Sequence, residues 1–498
     1  MSRNLFLFQQ KLSHRSITYR FGTLALLFLL GLVADAFSGS VTAVHPSVIP
    51  SRARGGEVYR EALRRTGWRQ LGGAHQQRHD AHASLTNYYE QRVDHTDAAA
   101  GTFKQRWWVD RSFWDGDSGP AVLYVNGESP ASPSPEGFVE HYCSTVGAVI
   151  ISLEHRYYGE SLPAPLTNRS MLKYLTVENA LADLQAFKRY AEKTVVGKKV
   201  KWLIVGGSYA GALSAWARAR YPEDFDAAWS SSGVVNAIFD YNAFDGHLLD
   251  VLPSACAAAI RTVFDAFTEA YDDPKRRGPM MQTFGTPSYF TKADMAWMLA
   301  DGSAMAVQYG LKDKLCAWMQ PVQRQDPFKQ YAGLIRLLWG TDFTRMCYYS
   351  TECLSNASYS YLWDSDYTWA YQCCSQLAYW QVSYPGSLRL EDVTTSYFID
   401  QCRAAFGEDI FPDTYAFNAV HGGAHPTATR VVATQGSDDP WLPAGVTHTQ
   451  SAEYPEVTAQ CNGCGHCGDL SSFDRDEPAP LTAQRRVLVK YLNAWLGK

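Results

Sequence analysis

An α/β fold, with a parallel sheet interrupted by a block of helices, is the architecture this sequence predicts. Three observations carry the prediction. Short, nearly continuous apolar runs recur along the chain, a helical apolar period separates two of them, and the strand signal vanishes after Ser232 to return at Thr429. The composition suits a large buried core, with 498 residues of which 46% are hydrophobic and 19% charged, including 15 Trp and 29 Tyr. A net charge of −5 argues against a nucleic-acid surface.

The elements follow in order. Arg3, Lys11, Arg15 and Arg20 precede the apolar run from Leu24 to Val33, and Ala34-Asp35-Ala36 offers small residues after it. Residues 1–36 therefore read as a signal peptide cleaved near Ala36. A signal anchor is the competing reading, although the run falls short of the ~20 residues that span a bilayer. No later stretch is long and apolar enough to cross a membrane. Residues 37–84, rich in Arg, Gly, His and Gln, read as a leader or propeptide-like segment. Pro120 to Val125 and Gly147 to Leu153 have the unbroken apolar character of strands buried on both faces. Ala180, Leu181, Leu184, Phe187 and Ala191 then recur at helical spacing, and Val200 to Val205 is a third strand. Residues 85–233 and 366–498 are assigned to the α/β domain, and 234–365 to a helical cap insertion. Val487, Leu488, Tyr491, Leu492, Trp495 and Leu496 share one face of a closing amphipathic helix.

Eleven cysteines, all between Cys143 and Cys467, indicate an oxidising compartment, and the odd number leaves at least one of them unpaired within the chain. Cys256, Cys316, Cys347, Cys353, Cys373, Cys374 and Cys402 crowd the middle of the chain and read as staples of the insertion. Asn168-Arg169-Ser170 and Asn356-Ala357-Ser358 are glycosylation sequons at Asn168 and Asn356. These features agree on a secretory route, ending outside the cell or in a lysosome or vacuole.

The most informative stretch runs from Lys201 through Gly206-Gly207-Ser208-Tyr209-Ala210-Gly211 to Trp216. A buried strand enters a glycine pair, a serine follows, and an Ala-rich helix begins. A serine at such a turn carries its hydroxyl above the sheet, and the turn accepts only small neighbours at −2 and +2, here Gly206 and Ala210. The helix N-terminus beyond it favours an oxyanion. A capping serine in a glycine-rich turn is the bland alternative; the strand–turn–helix setting favours a nucleophile. In an α/β-hydrolase the acid follows a late strand, and Gln435-Gly436-Ser437-Asp438-Asp439-Pro440-Trp441 offers Asp438 and Asp439. The histidine comes last, before the final helix, where His466 lies in Cys464-Gly465-His466-Cys467. His421, His425 and His448 are weaker candidates because they precede or surround the acid loop. Cys461, Cys464, His466 and Cys467 allow a zinc reading, against which stand their tight spacing and the inability of oxidised cysteines to bind zinc.

These residues resemble the serine peptidase family of lysosomal Pro-X carboxypeptidase, dipeptidyl peptidase II and thymus-specific serine protease. The resemblance runs from about Tyr88 to the C-terminus. Its motifs are Val93-Asp94-His95, Phe103 to Trp108, Glu154-His155-Arg156-Tyr157-Tyr158-Gly159-Glu160-Ser161, Gly206-Gly207-Ser208-Tyr209, Trp369-Ala370-Tyr371-Gln372 and Asp439-Pro440-Trp441. It implies an α/β-hydrolase fold with a helical cap and a Ser208, Asp439, His466 triad, and it selects Asp439 over Asp438. It also implies oxyanion donors at Tyr209 and in the loop Asn126-Gly127-Glu128, taken at Gly127.

Ala210 and Ala212 stand where the Pro-X carboxypeptidase and dipeptidyl peptidase II branch has Gly and Met, which places the chain nearer the thymus-specific branch. Gln376 stands where the family often has Glu. The expected function is a serine exopeptidase acting on short peptides after proline or small apolar residues, with Trp369, Tyr371 and Trp441 lining an apolar pocket. This chemistry asks for neither cofactor nor metal. An esterase or lipase of the same fold, or a non-catalytic peptide-binding relative, are the alternatives. The oligomeric state stays open, a homodimer included.

Overall fold

Eight strands build the main sheet: β1 (Asn87–Arg92), β2 (Thr102–Asp110), β3 (Ala121–Val125), β4 (Val149–Leu153), β5 (Trp202–Gly207), β6 (Ala227–Ser231), and then, after a long excursion, β9 (Val431–Gly436) and β10 (Glu456–Ala459). Their order is β1-β2-β4-β3-β5-β6-β9-β10. β2 pairs antiparallel with both β1 and β4, and every other neighbour is parallel. This is the α/β-hydrolase fold. The computed structural model describes residues 85–498 except 117, 132, 321–325 and 473–475; the expected signal peptide and leader lie outside the described residues.

The unbroken apolar runs have a simple cause. Leu123, Ile151 and Ile204 face one layer of helices, α2 (Val177–Ala191) and α3 (Tyr209–Arg220), where they pack with Leu181, Leu184 and Leu213. Their strand neighbours Val122, Ile150, Leu203 and Val205 face the other layer, formed by α1 (Phe138–Val146) and the last helix, α14 (Ala479–Leu496), which contributes Leu488, Leu492 and Leu496. Side chains alternate across a strand, so a strand covered on both faces must be apolar at every position. The helix expected from the spacing of Ala180 to Ala191 begins where Thr176 accepts a hydrogen bond from the Asn179 N–H at 3.1 Å, as an N-cap should.

Between β6 and β9 the main sheet is interrupted over residues 232–430, a longer inserted region than the expected 234–365, and it forms ten further α-helices among the described residues. They are α4 (Asn242–Val251), α5 (Ser254–Asp272), α6 (Pro274–Phe284), α7 (Lys292–Gln308), α8 (Lys312–Trp318), α9 (Pro327–Trp339), α10 (Thr351–Ser355), α11 (Ser365–Gln372), α12 (Thr395–Phe406) and α13 (Thr414–His421). A small parallel pair, β7 (Ile238–Asp240) with β8 (Ala378–Trp380), joins the start of this region to a point late in it. Arg389 is wholly buried here, 2.7 Å from Asp245 and 3.2 Å from Asp301. Disulfides join Cys256 to Cys316, Cys347 to Cys353 and Cys374 to Cys402, and a fourth joins Cys461 to Cys464 nearer the C-terminus. Cys143, Cys373 and Cys467 are unpaired and buried. No described helix is long and apolar enough to cross a membrane.

Candidate active site

The parallel strands β5, β6 and β9 end on the same side of the sheet, and the loops that leave them carry the chemistry. β5 delivers Ser208, whose φ of 59° and ψ of −127° lie outside the regions a serine prefers. The turn is held by the Ser208 N–H bonding the Ser231 carbonyl at 2.9 Å and by the Ala212 N–H bonding the Ser208 carbonyl at 2.9 Å. Glycine is required before it by close approach. A Cβ on Gly206 would sit 2.5 Å from the Ala210 carbonyl oxygen, and one on Gly207 would sit 2.9 Å from Cys467 Sγ. The small side chain at 210 fits the same restriction, since a Cβ on Gly206 or Gly127 would meet the Ala210 methyl at 2.8 or 3.4 Å.

β9 delivers the two aspartates. Asp439 is fully buried; its Oδ1 accepts the Trp441 N–H at 2.9 Å, and its Oδ2 stands 2.6 Å from His466 Nδ1. Asp438 turns elsewhere, to Lys312 Nζ at 2.8 Å and the Gly463 N–H at 2.6 Å. The loop carrying His466 is clamped from both sides. Its backbone N–H donates to the Gln308 carbonyl at 2.7 Å, and the next residue, Cys467, donates its N–H to Ser232 Oγ at 2.9 Å. Three residues on, buried Asp469 accepts from Trp229 Nε1, Ser231 Oγ and Thr434 Oγ1 at 2.7, 2.5 and 2.6 Å. The loop is thereby tied to the ends of β6 and β9.

Burial works against an imidazolium at His466, and the Asp439 carboxylate, together with neighbouring Cys467, more than reverses that, so the ring holds its proton above the ordinary histidine range. Once the ring is neutral, His466 Nε2, buried with no hydrogen-bond partner, can take a proton from a neighbouring hydroxyl. Because Cys467 packs on Gly207, the histidine loop abuts the serine turn.

The Tyr209 N–H belongs to the first turn of α3, where helix geometry supplies no internal acceptor. The loop Asn126-Gly127-Glu128 lies against Ala210 and the Tyr209 ring. Trp369 packs on Tyr209 with ring centroids 5.5 Å apart, and Tyr379 links it to Trp441, which lies 6.5 Å from the His466 ring. Tyr371 does not join them. Two residues apart on α11, Trp369 and Tyr371 point to opposite sides of the helix, and Tyr371 packs on Phe406 at 5.3 Å.

Sequence reading missed Tyr379, Gln308 and Lys312, and it took Glu128 only as a member of a loop. The Glu128 Oε2 is buried without a partner, and burial pushes the carboxyl up to about 7. An acidic residue next to a glycine loop is the only trace of this in the sequence.

The remaining candidates have other surroundings. His421 stands 3.3 Å from Glu178, and His425 packs against His448. Gln376 donates to Glu178 at 2.8 Å and accepts the Val177 N–H at 2.8 Å, so a Glu here would face a like charge. Cys461 and Cys464 are spent in a disulfide, which removes thiolates that a zinc site would need. Asn168 is exposed, whereas Asn356 is half-buried and donates to Glu352 at 2.8 Å.

The profile of the family described as serine carboxypeptidase S28 matches residues 91–488. The protein named Probable serine protease EDA2 of Arabidopsis thaliana is 29% identical over 441 residues, covering 82% of this chain and 88% of its own. Thymus-specific serine protease of Mus musculus is 26% identical over 450 residues, covering 82% and 87%. Lysosomal Pro-X carboxypeptidase of Bos taurus is 25% identical over 447 residues, with the same coverage. The chain belongs to the serine carboxypeptidase S28 family and is a serine-type peptidase.

Proposed function

We propose that this S28-family peptidase removes residues from the ends of short peptides, using Ser208 as nucleophile, His466 as base and Asp439 as the carboxylate that orients it. The observation that carries the reading is the buried Asp439–His466 pair at 2.6 Å, with Nε2 left open beside the strained Ser208 turn. Ser208 Oγ attacks the scissile carbonyl while Nε2 takes its proton. Asp439 stabilises the imidazolium, which then returns the proton to the leaving amine. The Tyr209 N–H, with an N–H of the loop at Gly127, receives the oxyanion. Water repeats the sequence on the acyl-enzyme.

The insertion beginning near residue 234 acts as the cap of this site. Gln308 on α7 and Lys312 on α8 support this, since they reach the His466 backbone and Asp438. A roofed site admits a chain end more readily than the middle of a folded chain. Trp369, Tyr379 and Trp441 suit a proline ring or a small apolar side chain, and the name of the bovine relative points the same way. Apolar contact separates such residues by only about 1–3 kcal/mol, so the preference for proline is graded. Disulfides, the sequons and the basic-apolar start of the sequence support a secretory or lysosomal destination.

Mass spectrometry of a peptide panel with proline placed next to the last residue, or second from the start, tests this directly. Release of terminal fragments after proline is expected. Efficient internal cleavage of a folded protein, or preferred cleavage after Lys or Arg, overturns it.

A further inference from the structure

The residue after the nucleophile is gripped by its side chain, and this grip has no part in the triad chemistry. The Tyr209 ring is fully buried, and its hydroxyl lies 3.1 Å from His155 Nε2 and 2.9 Å from Gln372 Nε2. Gln372 Oε1 in turn lies 2.5 Å from the Tyr158 hydroxyl, and His155 Nδ1 lies 2.7 Å from the Arg156 carbonyl oxygen. All four side chains are buried.

The proton positions along this chain follow from its one fixed end. A carbonyl oxygen only accepts, so His155 Nδ1 carries the proton and Nε2 is bare. The Tyr209 hydroxyl must then donate to Nε2, which leaves its oxygen to accept from the Gln372 amide. Gln372 Oε1 accepts from Tyr158. Each donor has one acceptor, and reversing any bond would set two donors or two lone pairs face to face. Burial, resisted by the hydrogen bond to the Arg156 carbonyl and by Asp183 and aided by the Arg156 charge, lowers His155 to about 4, which keeps the ring neutral, with Tyr158 and Tyr209 as its other neighbours.

The three anchors come from separate parts of the chain. His155 and Tyr158 follow β4, Tyr209 opens α3, and Gln372 ends α11 deep in the inserted region. We propose that Gln372 and His155 are positioning residues for catalysis: through the Tyr209 hydroxyl they fix the plane of the Ser208–Tyr209 peptide, and so aim the Tyr209 N–H at the oxyanion. This rests on the assignment of Ser208 as nucleophile. The reason such a brace is needed lies in the backbone. Ser208 holds a φ of 59°, from which the turn would relax if the following residue were free to rotate. The brace also makes the oxyanion site depend on the insertion being docked, because Gln372 belongs to it.

The test compares Tyr209→Phe, Gln372→Leu and the double variant. Misplacing an oxyanion donor by a fraction of an ångström should lower kcat by about 10²-fold while KM stays near its wild-type value. The double variant should be no worse than the poorer single one, because both break the same brace. Gln372→Glu, which keeps the shape but cannot donate an N–H to the phenol, should behave like Gln372→Leu. The melting temperature is measured on each variant. A purely structural role would lower it while leaving the kcat of the folded protein unchanged, and that result overturns the proposal, as do additive losses or a rise confined to KM. A fluorophosphonate should still label Ser208 in every variant, only more slowly. Failure to label Ser208 in the wild-type protein would instead remove the nucleophile assignment, and the proposal with it.

Discussion

The sheet-borne half of the site and the half supplied by the insertion are built in different ways. Ser208, Asp439 and His466 sit on loops at the ends of β5 and β9 and after β10, and each is set by its own backbone: a positive φ, a two-residue turn, a loop clamped by Asp469. The insertion supplies Gln308, Lys312, Trp369, Gln372 and Tyr379, which are placed by packing between helices distant in sequence. Asp438 and Asp439 show the difference within one turn. They are neighbours, both buried, yet one belongs to His466 and the other to Lys312 of the insertion. Position in the chain does not decide a carboxylate's work; its partner does.

This contrast can be broken most sharply at the sheet. Ser208→Ala should lower turnover by about 10⁶-fold, with little further loss when His466 is also replaced, because the two act as a unit. Steady-state kinetics on a peptide substrate, with circular dichroism to show an intact fold, measures it. Next comes the aspartate pair. Asp439→Asn should cost about 10⁴-fold in kcat, because the imidazole loses the group that fixes its tautomer. Asp438→Asn should cost less than about tenfold, since it loosens the contact with Lys312 and leaves the histidine in place. The opposite order would mean that the acid loop is misassigned.

The insertion should respond in stability before it responds in chemistry. Arg389→Leu strands Asp245 and Asp301 without their cation, and breaking such a buried pair typically costs about 3–5 kcal/mol. Denaturant unfolding at pH 7 measures the loss, which should shrink as pH falls through about 6, where buried Asp301 takes up a proton. The smallest effect belongs to Glu128. Its folded-state pKa, about 7, exceeds the ordinary value of 4.5, so the folded protein holds a proton that the unfolded chain has released. That contribution is fully present below about pH 4.5 and is lost as pH rises through 7. Glu128→Gln should therefore match the wild type in melting temperature at pH 4 and exceed it by about 2 °C at pH 8.

Much of the first half was legible in the sequence. The runs at 120–125, 147–153 and 200–205 fall on β3, β4 and β5, because strands covered on both faces leave no choice of residue type. The serine turn was legible because its geometry excludes side chains at 206 and 207. His466 could be placed by order alone, as the last histidine before the final helix. The second half was not legible. Trp369 and Tyr371 look equivalent in sequence, and only the helical twist of α11 sends one to Tyr209 and the other to Phe406. The three-residue strands β7 and β8 leave too short a pattern to read, and they pair across a large separation in sequence. Three cysteines stay unpaired where parity required one, because pairing depends on Cα separations that spacing does not reveal.

The most direct test of the central claim is the site of a covalent adduct. A fluorophosphonate loses fluoride to an activated serine and leaves a stable phosphonyl ester, which peptide mapping by mass spectrometry locates. One adduct is expected, on Ser208, formed rapidly by the wild-type protein and almost not at all by His466→Ala. An adduct on another serine, or labelling of Ser208 that does not depend on His466, would contradict it.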